Sequence, residues 1–165
     1  MADLTNTFYE GDAFHGYASQ LLVGNGASPE TFQAVADVIS ITPGSLTTAV
    51  IEKTHLRSLN AHREKLAGLR DSEAFVVMCN WRPTDESHSR VGGGSGSFTA
   101  GGLLAINISR EERNYKIVLS DGSPGTEWPF RGICTGFTPG EIGPDNKVEL
   151  NLEFTPVRDY SGSLP

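Results

Sequence analysis

The sequence is poor in the residues from which metal centres, disulfide frameworks and nucleic-acid grooves are built. Its two cysteines, Cys79 and Cys134, cannot form a disulfide framework, and neither they nor the four histidines have the spacing of a zinc site. We interpret both cysteines as small buried hydrophobic residues in a reducing compartment. Thirteen lysines and arginines against twenty acidic residues give a net charge of −7, which argues against a groove that grips nucleic acid.

Long apolar segments are also missing. No stretch approaches the ~20 apolar residues of a membrane span, and the polar N-terminal segment has no secretory apolar region. We therefore expect that the protein is made in the cytoplasm and does not insert into a membrane.

The motifs of catalysis and phosphate binding are not found. No serine lies in a Gly-x-Ser-x-Gly motif. Asp71 and Glu73, at alternate positions near a strand entry, are interpreted as solvated or salt-bridged carboxylates. The glycine run 92–96 is not followed by the Lys-Ser/Thr pair of a P-loop, so residues 84–99 are predicted to form a flexible Gly/Ser-rich surface loop. We predict no catalytic residue, no metal site and no cofactor.

What is present favours one turn-rich β domain over residues 1–165. Nineteen glycines and nine prolines fit such a fold, and the clearest strand alternates inward Val148, Leu150, Leu152 and Phe154 with polar residues. A strand is also predicted at 74–81. One short helix is predicted from the apolar spacing over residues 103–108.

The stretch 32–56 is rich in β-branched residues on both sides of Pro43-Gly44, a dipeptide typical of turns. It predicts an antiparallel hairpin that turns at this dipeptide. Both faces of the hairpin carry apolar residues, so it needs cover from its own fold and from a second partner. Asp37 and Glu52 are each the charged member of an apolar-leaning side.

Residues 57–72 have basic side chains, few apolar anchors and no strand pattern. A loop of this length in a compact domain is usually functional or disordered. An amphipathic helix is the alternative, since Leu59 and Leu66 lie seven apart. Residues 1–20 are interpreted as an N-terminal arm whose aromatic residues suit docking on a neighbour, and residues 157–165 as a C-terminal tail.

Over about residues 16–158, the order and spacing of several motifs resemble the tail tube proteins of long-tailed bacteriophages and related gene-transfer particles. These motifs are Ser28-Pro29-Glu30-Thr31-Phe32, Val38-Ile39-Ser40-Ile41, Thr54-His55-Leu56, Gly68-Leu69-Arg70-Asp71, Leu103-Leu104-Ala105, Arg113-Asn114-Tyr115-Lys116-Ile117-Val118, Asp121-Gly122, and Gly136-Phe137-Thr138-Pro139.

The resemblance implies a mainly β fold with one α-helix, a β-sandwich or partly open barrel whose strands join those of neighbours into a closed ring barrel. Six-subunit rings would stack into a hollow tube in the virion tail, made in the host bacterial cytoplasm. The implied partners are tape-measure, tail-terminator and baseplate proteins, with transient, non-specific passage of double-stranded DNA.

The same resemblance makes 57–72 the ring-stacking loop. Its candidate contact residues are Arg57, Leu59, Arg63, Lys65, Leu66, Leu69 and Arg70. A DNA conduit should expose acidic and neutral side chains, because each phosphate that Lys or Arg neutralises adds affinity. Asp37 and Glu52 are therefore predicted to face the lumen.

The alternative is a β-sandwich module of a tail or cell surface that binds carbohydrate or a receptor. Exposed Trp81 and Trp128 would then serve as stacking platforms.

Overall fold

Strands dominate the computed structural model, which describes residues 16–55, 63–120 and 125–157. Nine strands and one α-helix follow in chain order, with a short 3₁₀ turn at Gly96–Phe98 before the helix. Their bounds are β1 Gln20–Gly24, β2 Phe32–Ala34, β3 Val38–Thr42, β4 Leu46–Glu52, β5 Lys65–Ser72, β6 Phe75–Asn80, α1 Leu103–Ser109, β7 Glu112–Val118, β8 Glu127–Pro139 and β9 Glu149–Pro156. The prediction of a mainly β fold with one helix is confirmed.

Seven of the strands form one antiparallel sheet in the order β2-β1-β7-β8-β9-β6-β3, and β4 with β5 forms a separate two-stranded sheet. The two edge strands of the large sheet, β2 and β3, are separated in sequence by residues 35–37 alone. Such a short connection reaches only about 14 Å, so the sheet curls until its edges approach each other. The result is a sandwich-like sheet around one core.

The core is built by strict alternation along the central strands. Leu150, Leu152 and Phe154 of β9 are fully buried, as predicted, and residues of β7 and β8 join them from the neighbouring strands. The Phe75 and Phe130 rings stack at 4.3 Å between centroids, and Tyr115 lies 4.8 Å from Phe154. This aromatic cluster holds the curled sheet together.

Helix α1 covers the core from one side. Leu103 and Ile106 are buried, and the Asn107 side chain donates to the Cys134 carbonyl of β8 at 2.8 Å. The helix ends at Arg110, whose φ of 57° is left-handed and whose N–H donates to the Ile106 carbonyl. The helix predicted over 103–108 is therefore confirmed.

The predicted hairpin over 32–56 is wrong. Residues 32–42 form two strands rather than one, and neither pairs with β4: β3 pairs with β6, and β4 pairs with β5. The chain does not turn at Pro43-Gly44 but continues from β3 into β4. A proline removes a ladder hydrogen bond, so the dipeptide interrupts a strand here instead of reversing it.

The prediction that residues 57–72 contain no strand is also wrong for the second half of this segment, because Lys65–Ser72 is strand β5. Its pairing with β4 is what makes this polar sequence extended. Residues 56–62 lie outside the described part of the chain, as do most of the predicted N-terminal arm and C-terminal tail.

The Gly/Ser-rich stretch 84–99 is a loop, but it is fastened to the sheet. Ser87, His88, Ser97 and Phe98 are buried within it. The Glu86 carboxylate accepts hydrogen bonds from Ser95 N at 2.8 Å and from the Gln33 amide of β2. Its polar side chains bond to β2 and to one another, while much of the loop stays exposed. The expectation that the loop is flexible stays a prediction.

Among the described residues, no helix is long and apolar enough to cross a membrane. Across the same ranges, no three His, Cys, Asp or Glu residues are grouped so that they could hold a metal ion.

Candidate functional site

The β4–β5 hairpin has almost no burial in the isolated chain. Every residue of β4 is exposed, and β5 has only two residues that are partly buried. Five large apolar side chains lie open on this hairpin: Leu46 at 65% exposure, Val50 at 63%, Ile51 at 56%, Leu66 at 50% and Leu69 at 87%. Several large apolar side chains exposed on one element mark an interaction site.

The apolar residues occupy both faces of the hairpin. Val50 lies opposite Ala67 on one face, and Ile51 lies opposite Leu66 on the other. The strand register shifts between Thr48 and Val50, and Gly68 lies against Ala49 at this shift. A Cβ added at Gly68 would lie 3.2 Å from the Ala49 Cβ. Two apolar faces need two covering surfaces, and residues 16–55, 63–120 and 125–157 of the subunit supply neither.

The hairpin extends the edge of the large sheet. Thr42 pairs with Val76 before the interruption and Leu46 pairs with Ser72 after it, so the register of the two ladders is unbroken. Within the gap, Glu73 N donates to the Ser45 carbonyl at 3.0 Å. The hairpin therefore projects about 20 Å, seven residues of strand, beyond the end of the sheet.

The β4–β5 hairpin also carries charged side chains. Lys53 pairs with Glu64 at 3.4 Å, whereas the exposed Arg63 and Arg70 have no ion-pair partner among the described residues. Of the predicted stacking residues, Arg63, Lys65, Leu66, Leu69 and Arg70 are thus brought together on one hairpin. The remaining two, Arg57 and Leu59, fall outside the described residues.

The two predicted lumen residues are not neighbours on one strand pair. Asp37 lies between β2 and β3 with a φ of 51°, and its carboxylate lies 3.4 Å from the Arg82 guanidinium. Glu52 lies on the hairpin at the last β4 position that pairs with β5, opposite Lys65. The prediction that both line a channel stays a prediction.

A second open surface is the outer face of β3, β6, β9 and β8. Asn151, Glu153 and Thr155 of β9 are exposed on it, and Val76 of β6 lies opposite Glu153. Its one arginine, Arg131, is paired with Glu112 at 3.0 Å. The alternation of β9 predicted that these polar side chains face outward. Only the sheet order shows that the four strands make one broad face with few basic residues.

The turn after β6 connects several elements of the sheet and helix. His88 Nδ1 accepts from Arg82 N at 3.1 Å, and the Ser87 carbonyl accepts from Leu103 N at 2.7 Å. Burial lowers the pKa of His88, against the opposing effect of the nearby Asp85. The Ser87 hydroxyl donates to Asp85 at 2.6 Å and lowers the pKa of that carboxyl.

The thiols and the tryptophans are structural. Burial raises the pKa of Cys79 and of Cys134 to about 12 each, so both stay protonated and unreactive. The carbohydrate-binding alternative requires Trp81 and Trp128 to be exposed platforms, but both pack against the core. The Trp128 ring meets the Phe75 ring edge-on, with 5.7 Å between centroids. Large rings at the end of a core strand gain more from burial than from exposure.

Comparison with known proteins identifies the family of the chain. The family model described as lambda phage tail tube protein, TTP, matches residues 17–139. No relative is found among curated proteins.

The fold is similar to solved structures of tail assemblies. A chain of the native gene transfer agent virion matches with a TM-score of 0.62 at 14% identity, over 88% of this chain and 95% of that one. A chain from the tail of an empty gene transfer agent particle with C6 symmetry matches with a TM-score of 0.61 at 15% identity, over 92% and 99%. A chain of the six-fold symmetrised baseplate of the anti-feeding prophage matches with a TM-score of 0.53 at 15% identity, over 88% and 94%.

The family model covers well over half of the sequence, and the chain therefore belongs to the lambda phage tail tube protein family.

Proposed function

We propose that the chain assembles into six-subunit rings that stack into the hollow tube of a virion tail and conduct the genome. Its role as a structural tail tube protein follows from the family. Six-fold rings are supported by the C6 symmetry of the gene transfer agent tail whose chain has the same fold. In this role the chain needs no catalytic residue or cofactor, and tape-measure, terminator and baseplate proteins are its further partners.

The observation that carries the proposal is the β4–β5 hairpin with its two bare apolar faces. A two-stranded hairpin is marginal in water, and exposed β edges invite pairing with other chains. Within the described residues, β3 and β4 each have a strand partner on one side only. Neighbouring copies would cover the hairpin and close these edges.

Ring closure also explains how a small subunit encloses DNA. A barrel of about 16–18 strands leaves only an aqueous channel, so a wider channel needs strands from several chains. We assign the outer face of β3, β6, β9 and β8 to the channel, because its polar, base-poor surface would let DNA slide. Asp37 and Glu52 remain lumen candidates beside it, and Glu153 joins them.

Electron microscopy of purified protein tests the assembly. We expect regular tubes from the wild type, alone or seeded with tail-initiating proteins. A hairpin variant with Val50→Thr, Ile51→Thr and Leu66→Thr should keep its fold, because exposed substitutions shift stability by only about 0.5 kcal/mol. It should nevertheless form no tubes, because the apolar faces are lost.

The matched control is Val91→Thr with Ile108→Thr. These side chains are also exposed, at 76% and 55%, but they lie outside the hairpin. The control should form normal tubes. A wild type that stays dispersed at high concentration with initiating partners present would overturn the proposed function.

A further inference from the structure

The hairpin and one polar loop leave the sheet at opposite ends. Along β9, Phe154 pairs with Phe75 at the end from which the hairpin projects, while Glu149 pairs with Asn80 at the other end. The loop that joins β8 to β9, residues 140–148, leaves from this second end, next to Trp81. The backbone N–H of Trp81 donates to the Val148 carbonyl at 2.8 Å. The two features are separated by about 20 Å of strand.

The β8–β9 loop complements the hairpin in charge and in apolar surface. Glu141 and Asp145 are exposed and have no ion-pair partner within the described ranges, while Lys147 is neutralised by Glu149 at 3.1 Å. Ile142 is 74% exposed between the two acids. This acidic loop with one open apolar side chain faces away from its own hairpin.

Among the residues that the structure describes, the hairpin carries two acidic side chains without an ion-pair partner, Glu52 and Asp71, but also basic side chains without one beside exposed leucines. Arg63 and Arg70 have no described acidic partner, and Leu66 and Leu69 lie beside them at 50% and 87% exposure. A projection at one end and a complementary loop at the other make a head-to-tail contact, and such contacts propagate without limit unless they close into a ring.

We propose that the β8–β9 loop of one subunit is the receptor for the β4–β5 hairpin of a copy in the next ring. This inference rests on the proposed tube and adds the acceptor surface. Glu141 and Asp145 would meet Arg63 and Arg70, and Ile142 would meet the exposed leucines. Since each exposed ion pair contributes little, the contact gains strength from its repetition around the ring.

Charge exchange tests the contact through tube length. The acceptor variant Glu141→Lys with Asp145→Lys should shorten tubes at least tenfold, and so should the hairpin variant Arg63→Glu with Arg70→Glu. All four changes in one chain restore opposite charges and should recover most of the length. Glu111→Lys is the matched control, because this exposed carboxylate lies between α1 and β7, away from the hairpin, the β8–β9 loop and the outer face. The same charge change there should leave tube length unchanged.

A crosslink gives a second measurement. Because the thiols of Cys79 and Cys134 are buried, engineered cysteines would react selectively. Leu69→Cys combined with Ile142→Cys should give a disulfide-linked ladder of multimers under mild oxidation, and neither single variant should do so.

Normal tube length in the acceptor variant, no recovery on charge exchange, or a double-cysteine variant without a ladder would each overturn the contact while leaving the tube proposal intact. A wild type that forms no tubes would overturn the tube proposal itself.

Discussion

His88 carries a structural role that depends on its protonation state. Its Nδ1 accepts the Arg82 N–H at 3.1 Å, so the ring must be neutral on that nitrogen. The charged groups that face it are Asp85, Asp37 and Arg82, and burial outweighs the two carboxylates in lowering its pKa. Protonation would therefore break the turn between β6 and α1.

We expect stability to fall as pH drops below about 6.5, the ordinary histidine pKa. Below this pH the His88 ring binds a proton in the unfolded chain but stays neutral in the folded chain. The free energy of unfolding therefore falls by up to about 1.4 kcal/mol per pH unit. His88→Gln keeps an acceptor but does not titrate, so its free energy of unfolding should change less between pH 7 and 5. Urea unfolding at several pH values measures both slopes, and equal slopes would contradict the assignment.

Asp85 acts in a lower pH window. Its pKa is lowered by the Ser87 hydroxyl in the first place, so its contribution is present above about pH 4 and is lost below that value. The two groups can thus be separated by the pH at which stability declines.

At the scale of elements, Pro43-Gly44 separates the β3–β6 pair of the large sheet from the exposed hairpin. Gly44 is needed for close approach: a Cβ there would lie 2.1 Å from the Glu73 carbonyl oxygen and 2.9 Å from that of Ala74. Both contacts are with backbone, which cannot move aside without shifting the ladder.

Gly44→Ala should therefore lower the free energy of unfolding by about 1–3 kcal/mol, the usual cost of overpacking. It should also shift the hairpin and impair tube formation. Gly16→Ala is the control, because no atom lies within 4 Å of its added Cβ. Chemical unfolding of the two variants gives the comparison, and similar stabilities would contradict the close approach.

The channel surface belongs to the scale of the whole molecule. Glu153→Lys and Glu52→Lys should each allow tubes to form but make DNA binding salt-sensitive, because every neutralised phosphate releases counterions. Asp37→Asn is the gentler change at its site, since asparagine tolerates a φ of 51°. Retention of DNA by tubes at increasing salt is the measurement. If the tubes of a lysine variant bind no more DNA than wild-type tubes do, the substituted residue does not face the channel.

Local sequence was enough to predict the elements whose hydrophobic pattern matches the face that they bury. The alternation of β9 reflects a strand with one buried face, and the spacing of Leu103 and Ile106 reflects a short helix on a core. The motifs also sufficed for the family. The candidate stacking residues from Arg63 to Arg70 were proposed from the resemblance to the family, and their role stays a prediction. The strand on which most of them lie was not predicted.

Only the tertiary structure decided which strands pair. Pro43-Gly44 satisfies the local rules for a turn, yet β3 continues into β4, because each strand finds its partner some twenty to forty residues later in the chain. Strand pairing is a long-range choice that local patterns do not encode. For the same reason the sequence could not place Asp37 in the turn between β2 and β3 and Glu52 on the hairpin. Nor could it set the hairpin and the β8–β9 loop at opposite ends of one molecule.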